Sequence, residues 1–408
     1  MKICMVTSEF PPKWGGVGNG VHFQSNVYAK FGYKVDIITR EMKGVKRPKQ
    51  HKNITIHEVK WLYAPMLFTT SFGRNAVSRI MELGCDYDVV HVHSNMALLY
   101  KKHYDQISSP IVSTMHGTWV GERSQLRLKD ISLSDIMSLN DLAIKYVSPL
   151  YDKYEDYALS YSNAATVDSI QEYNYVRTRP GVKNIYGKDR IVRIPEGVDV
   201  ELFNPKKRKD GFFEKFGVKK GQKTIISVAR LAARKGVDRM IGSFKAVTRS
   251  VPEARLLIIG VGPQERKLRR LARDLGILKK VMFLGKLSFD DLETAYASAD
   301  VFAWHSLWEG QGLVISESLA AGTPVVSTKV GGASEMIDLG RTGYYVPVGD
   351  TKGMAGYISK ILKDDELRAR MGELGRKQME KDWSWQVITK RYDELYKSVQ
   401  GDKKRIVR

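Results

Sequence analysis

The chain has 408 residues, of which 43% are hydrophobic, 27% charged and 10% aromatic. That balance excludes a disordered, collagenous or low-complexity chain and supplies apolar material for two or three domain cores. Lys and Arg number 66 against 45 Asp and Glu, a formal charge of +21, which by itself points to nucleic acid, an anionic membrane surface or a phosphorylated ligand.

Two cysteines, Cys4 and Cys85, are too few for a disulfide framework or a cysteine-based zinc site, so a reducing compartment is expected. No apolar run approaches the roughly 18–20 residues of a membrane span. Met1-Lys2-Ile3-Cys4-Met5-Val6-Thr7 leads into a strand and does not read as a signal peptide. The expectation is a soluble, cytoplasmic protein, with at most peripheral contact with an anionic membrane face.

In chain order, Ile3–Thr7, Val35–Thr39, Ile54–Val59, Asp88–His93, Ile111–Met115, Ala164–Val167 and Arg190–Ile194 are predicted strands separated by amphipathic stretches. Pro195-Glu196-Gly197-Val198-Asp199, Asn204-Pro205 and the basic run Lys206–Lys209 lack periodicity and read as a linker. The alternation then restarts with Thr224–Val228, Arg255–Ile259, Val281–Leu284, Val301–Trp304, Pro324–Ser327 and Gly343–Val346. In Gln264–Leu275, the residues Leu268, Leu271, Ala272 and Leu275 share one helical face. Strands alternating with helices imply parallel sheets covered on both faces. We expect two doubly wound α/β domains facing a cleft, 1–195 and 196–384, with ligands beyond the carboxyl ends of the strands.

Four segments carry candidate chemistry. Pro11–Gly20 follows the first strand and precedes a helix; its glycines let backbone N–H groups approach an anion, though neither a dinucleotide fingerprint nor a P-loop fits. Ala229–Gly236 follows the first strand of the second half and offers the Arg230 fork and the Lys235 point charge to a phosphate. Glu309-Gly310-Gln311-Gly312-Leu313 opens a helix that contains Glu317, roughly 7–8 Å along its axis. Two carboxylates flanking an anion site suit a ligand with hydroxyls on either side of a diphosphate, the shape of a nucleotide sugar. His116 ends one strand, and His91 and His93 share a face of another. Taken singly, each has a plain structural explanation: a tight turn, a solvated basic turn, surface carboxylates, packed histidines. Asp86-Tyr87-Asp88 matches a metal-binding D-x-D string but precedes its strand, at the wrong end of the sheet, and no paired His/Cys spacing occurs.

As a set, these segments resemble the retaining glycosyltransferases of family 4. The resemblance spans nearly the whole chain. Its carriers are Gly15-Gly16, Asp88–His93, Pro195–Asp199 with Phe203, Arg230 through Lys235-Gly236, Gly260–Pro263, Phe283–Gly285, and Glu309 with Glu317. It implies two Rossmann-like domains of the GT-B type: an N-terminal acceptor domain, a C-terminal nucleotide-sugar domain, and a last helix, 385–408, that crosses back to the N-terminal domain. It further implies that Gly15 and Gly16 meet the distal phosphate and that Arg230 and Lys235 hold the diphosphate. Glu309 would bind the sugar hydroxyls beside the backbone of Gln311, Gly312 and Leu313, and Glu317 the ribose. Lys286 and Leu287 would meet the nucleobase, and His116 the transferred sugar. Lys13-Trp14-Gly15-Gly16-Val17 is also similar to the Lys-x-Gly-Gly loop of glycogen synthases, and Lys13 and His93 are expected on the acceptor side. No metal and no other cofactor is implied; the nucleoside-diphosphate sugar is a co-substrate.

Two departures stand out: Gln311 replaces a frequent aromatic residue, and Glu196 replaces a frequent asparagine before the hinge glycine. The implied reaction moves a hexosyl group from a UDP-, GDP- or ADP-sugar to a sugar, glucan or lipid-linked acceptor, with an α-glucan synthase as the alternative. A nucleic-acid binder would need a basic helix with base-reading side chains or stacking aromatics, and none is present. A silent sugar-nucleotide binder or epimerase-like relative is disfavoured by the intact His116, Arg230, Lys235 and Glu309. Residues 1–200 carry 26 basic and 20 acidic groups and residues 201–408 carry 40 and 25, so the excess charge lies in the half expected to hold the donor. Trp61–Phe68 with Phe72 is an apolar stretch that suits an acceptor pocket, a lipid tail or plain core packing.

Overall fold

The structure is a computed structural model and describes residues 1–12, 16–62, 67–93, 100–118, 123, 142, 145–179 and 190–400, with the side chains of 67–69 left aside. The chain divides into two units, one made of Met1–Arg123, Leu142–Gly197 and Trp385–Arg408, the other of Ser124–Asp141 and Val198–Ser384.

The first unit is built on a parallel sheet of seven strands: β1 (Lys2–Val6), β2 (Lys34–Arg40), β3 (Ile54–Val59), β4 (Val89–Val92), β5 (Ile111–Met115), β6 (Ala164–Val167) and β7 (Ile191–Arg193). Their order is β3-β2-β1-β4-β5-β6-β7. Side-chain alternation divides each central strand between two cores. Ile3, Met5 and Val89 pack with Val21, Tyr28, Tyr392 and Tyr396, whereas Cys4, Val6, Val90 and Val92 pack with Phe72, Ala76 and Ile80. That is why the strands read as continuous apolar runs and not as alternating ones. The helix Trp385–Gln400 belongs to this unit and lies against the helix Gly16–Lys30. Its buried apolar residues Trp385, Ile388, Tyr392, Tyr396 and Val399 form one stripe.

The second unit repeats the plan with β8 (Thr224–Val228), β9 (Arg255–Ile259), β10 (Val281–Gly285), β11 (Val301–Trp304), β12 (Val325–Thr328) and β13 (Gly343–Val346) in the order β10-β9-β8-β11-β12-β13. Ile225, Leu256, Ile258, Val301 and Ala303 face one core; Ile226, Leu257, Ile259, Phe302 and Trp304 face the other. Both units are therefore Rossmann-like, and in each the strand order reverses beside the first strand, between β1 and β4 and between β8 and β11. At such a switch point the two following loops diverge and leave a crevice for a ligand.

The segment read as a linker is packed. Val198, Val200 and Phe203 are buried, Val198 bridges to Ser384, and Phe203 meets the Tyr296 ring edge-on. Arg376 explains the anchoring: one guanidinium nitrogen donates to the carbonyls of Val200 at 2.6 Å, Phe203 at 2.7 Å and Ala320 at 2.9 Å. The basic residues after it are surface groups, with Lys207 paired to Glu293 at 3.0 Å.

Other sequence features resolve simply. Asp88 accepts from the Lys2 backbone and Tyr87 donates to Asp36, so the D-x-D string caps the amino end of the sheet. Phe72 is core, Trp61 donates to the Glu41 carbonyl and Leu62 is exposed, whereas residues 63–66 lie outside the described residues. On the helix Glu265–Asp274, Leu268 and Ala272 are buried while Arg266, Lys267, Arg270 and Arg273 face solvent. Among the described residues, no helix is long and apolar enough to cross a membrane.

Candidate active site

In the second unit, the loop after β8 is strapped on both sides. Ala229 and Leu231 donate backbone N–H groups to Ile259 and Val261, tying it to the loop after β9. Leu307 donates to the Arg234 carbonyl at 2.9 Å, tying it to the loop after β11. Gly236 makes the second approach possible: it adopts φ 58°, and a Cβ there would lie 1.9 Å from the His305 carbonyl oxygen. The straps carry Arg230 and Lys235 to the carboxyl end of the sheet beside the loop 305–312.

There Lys235 Nζ ion-pairs with Glu309 Oε1, and Ser306 Oγ donates to the same oxygen at 2.8 Å. Lys235 and Glu309 are mostly shielded from solvent. Behind them Gly332 donates to the Gln311 carbonyl at 2.9 Å. At Gly331 a Cβ would meet the carbonyl oxygens of Glu309 and Gly310 at 2.8 Å. Gly312 then leads into the helix Leu313–Ala320, whose first N–H groups have no partner within the helix. The arrangement thus brings together Lys235, a helix N-terminus and a carboxylate at the β8/β11 switch point, with Arg230 on the same loop as Lys235.

Glu317, within that helix, accepts from the Tyr296 hydroxyl at 2.7 Å. Burial pushes its carboxyl up to about 7, with the tyrosine hydrogen bond pulling the other way. Gln311 is buried; Lys286 is exposed and Leu287 half-buried just past β10, two strands from β8. Ser306 and Tyr296 were not singled out from sequence; each acts on a glutamate that was.

The first unit holds a second cluster at its own carboxyl edge. His116 follows β5, and its Nδ1 lies 3.1 Å from Asp168 Oδ2, after β6, and 3.0 Å from Glu196 Oε1, after β7. Its Nε2 lies 3.3 Å from Nδ1 of His93, after β4. Burial alone would discharge the His116 ring, but the two carboxylates outweigh it and hold the ring well above the ordinary imidazole range. Burial, with His91 and His116 nearby, holds His93 well below that range. The ligand atoms of His116, Asp168 and Glu196 lie within 4.8 Å of one another, and one imidazole nitrogen facing two carboxylates at hydrogen-bond distance is the geometry of a shared ion pair. Under this cluster, Tyr396 and His91 Nδ1 are 2.5 Å apart, His91 Nε2 and Thr114 are 2.6 Å apart, and Tyr392 reaches Thr114 at 3.2 Å.

Sequence reasoning found His116 and His93 but not Asp168 as a partner, and noted Glu196 only as a departure. The available signal was position: each is an acid directly after, or within a few residues of, a buried strand's carboxyl end. Gly16 opens the helix that follows β1 and is exposed; Lys13 and Gly15 lie outside the described residues.

Two family models match the chain nearly end to end: Glycosyltransferase Family 4 over residues 14–202 and Glycosyl transferases group 1 over residues 208–378. The chain belongs to the group 1 glycosyltransferases. This glycosyltransferase is 27% identical over 407 residues to the GDP-mannose-dependent monoacylated alpha-(1-6)-phosphatidylinositol monomannoside mannosyltransferase of Corynebacterium glutamicum, covering 97% of this chain and 98% of that protein. It is also 27% identical to a glycogen synthase of Mycobacterium tuberculosis, covering 97% and 94%. Among solved structures, the sucrose-phosphate synthase of Thermosynechococcus elongatus superposes with a TM-score of 0.77 at 20% identity over 98% of this chain and 99% of that one. That likeness supports the GT-B fold of the glycosyltransferase.

Proposed function

We propose that the enzyme moves a hexosyl group from a nucleoside-diphosphate sugar to an acceptor hydroxyl with retention of anomeric configuration and without a metal. The observation that carries this is the Lys235–Glu309–Ser306 cluster at the β8/β11 switch point, beside the N-terminus of Leu313–Ala320. Negative charge grows on the diphosphate as the glycosidic bond breaks, and Arg230, Lys235 and the helix N–H groups supply fixed positive charge for it. Those groups take the place a metal ion would fill.

Glu309 is the carboxylate in that cluster. Lys235 and Ser306 engage it, which suits a role in accepting sugar hydroxyls better than one as a nucleophile. The reading is therefore attack from the face the diphosphate leaves, with the departing phosphate taking the acceptor proton. Glu317 accepts ribose hydroxyls, Lys286 and Leu287 flank the base, and His116 meets the transferred sugar. The donors and acceptors named for the two relatives differ, one GDP-mannose-dependent and lipid-linked, one a glycogen synthase, so both chemistries belong in the test.

The test is a thermal-shift panel of GDP-mannose, UDP-glucose and ADP-glucose. A true donor at 100 times its Kd adds about 2.7 kcal/mol of stability. Lys235→Ala is expected to fold, to lose most of that shift, and to turn over the same donor about 10²–10³-fold more slowly. Wild-type turnover in Lys235→Ala would remove the diphosphate role.

A further inference from the structure

The His116 cluster contains more than the donor reading uses. His116 is placed between two carboxylates that come from the ends of two different strands, 52 and 80 positions along the chain from it. The Asp168 and Glu196 side chains are nearly fully buried. A doubly protonated ring donates Nδ1–H to the carboxylates and Nε2–H to His93 Nδ1. His93, with its Nδ1 accepting, must then carry its own proton on Nε2. That nitrogen is buried and has no hydrogen-bond partner among the described residues. Buried polar atoms are rarely left so, and one at a strand end beside a switch point is a candidate ligand contact.

We infer that Asp168 and Glu196 are positioning residues of glycosyl transfer: by ion-pairing His116 they fix the tautomer of His93, whose Nε2–H is thereby presented to a hydroxyl oxygen of a sugar substrate. The inference rests on the proposed place of His116 beside the transferred sugar, which His116, with both nitrogens engaged, reaches through His93. His93 holds the proton and His116 orients it; neither needs to give a proton up.

The charged and titratable groups around the ring fit. From β4 come His93 and, below it, His91, held neutral by burial with the His116 charge adding to it. From the end of β6 comes Asp168, and from the segment after β7 comes Glu196. Burial pushes the Glu196 carboxyl up, while the His116 charge and hydrogen bond pull it down. From the helix Ile170–Arg177 comes Glu172, which burial and the charges of Asp168 and Glu155 push well above the carboxylate range. From the last helix comes Tyr392, hydrogen-bonded to Thr114 and Thr166. The His116 ring thus faces two carboxylates, while burial works against charge on the further acid, Glu172.

The test combines ring ¹⁵N NMR of histidine-labelled protein with pH profiles of kcat/KM for wild type, Asp168→Asn and Glu196→Gln. At neutral pH the wild type is expected to show His116 protonated on both nitrogens and His93 on Nε2 alone. Because the charged ring is the active form, activity is present below the His116 pKa and lost as pH rises through it. Each variant removes one counter-charge, so this alkaline limb moves to lower pH by about a unit, roughly a tenfold loss on the limb with the acidic plateau kept. A neutral His116 in the wild type, or a limb unmoved in both variants, overturns the inference. If no nucleotide sugar is turned over, the donor reading fails while the NMR still decides the ring's charge.

Discussion

At the residue scale, Glu309 and Glu317, before and within the helix Leu313–Ala320, have different surroundings. Glu309 is paired with Lys235 and accepts from Ser306. Glu317 has one neutral partner, the Tyr296 hydroxyl, and burial pushes it up to about 7. A ribose hydroxyl needs an acceptor, which the ionised carboxylate supplies and the protonated one supplies poorly. Nucleoside-diphosphate affinity should therefore rise with pH through that value, weakening about tenfold for each unit below it. Calorimetric titration across this range checks it, and Glu317→Gln should flatten the dependence. Affinity that is level with pH in the wild type would separate Glu317 from the ribose. Lys235, Glu309 and Glu317 were legible in the sequence because each lies within a few residues of a strand end or a helix start. Asp168 and Glu196 were not. Their partner His116 is remote in the chain, and only the closing of β5, β6 and β7 side by side brings the three together.

At the scale of elements, the strands were readable because parallel strands buried on both faces are short apolar runs; their observed limits match the expected ones or differ by one residue at one or both ends. The segment after β7 misled for a physical reason. Proline, glycine and lysine there look like a tether, but Val198, Val200 and Phe203 are buried and the carbonyls of Val200 and Phe203 accept from Arg376, a cation more than 170 residues downstream. Nothing local in the sequence announces that contact. Arg376→Ala removes a charged donor from three backbone carbonyls at once, and the expected cost is about 2–3 kcal/mol. A urea titration reads this as a lower midpoint with an unchanged slope. A loss below about 0.5 kcal/mol, the level of an ordinary surface change, would mean that packing alone holds the segment.

At the scale of the whole molecule, the same doubly wound plan appears twice, and each copy gathers charged groups at the carboxyl edge: Lys235 with Glu309 in the second unit, a histidine held by carboxylates in the first. The charge of +21 lies mostly in residues 201–408, and much of it stands on solvent-facing positions such as Arg266 and Arg270. It fits long-range attraction of a diphosphate more than any fixed contact. The last helix shows how far apart in sequence the parts of one unit lie, since its Tyr396 closes on His91 across 305 positions.

The central claim is transfer with retention, carried by protein cations in place of a metal. It is tested most directly by following turnover of an α-linked nucleotide sugar in the presence of EDTA and reading the anomeric configuration of the product by NMR. The expected product is α-linked, formed at a rate that the chelator leaves unchanged. A β-linked product, or a rate abolished by EDTA and restored by a divalent cation, would contradict it.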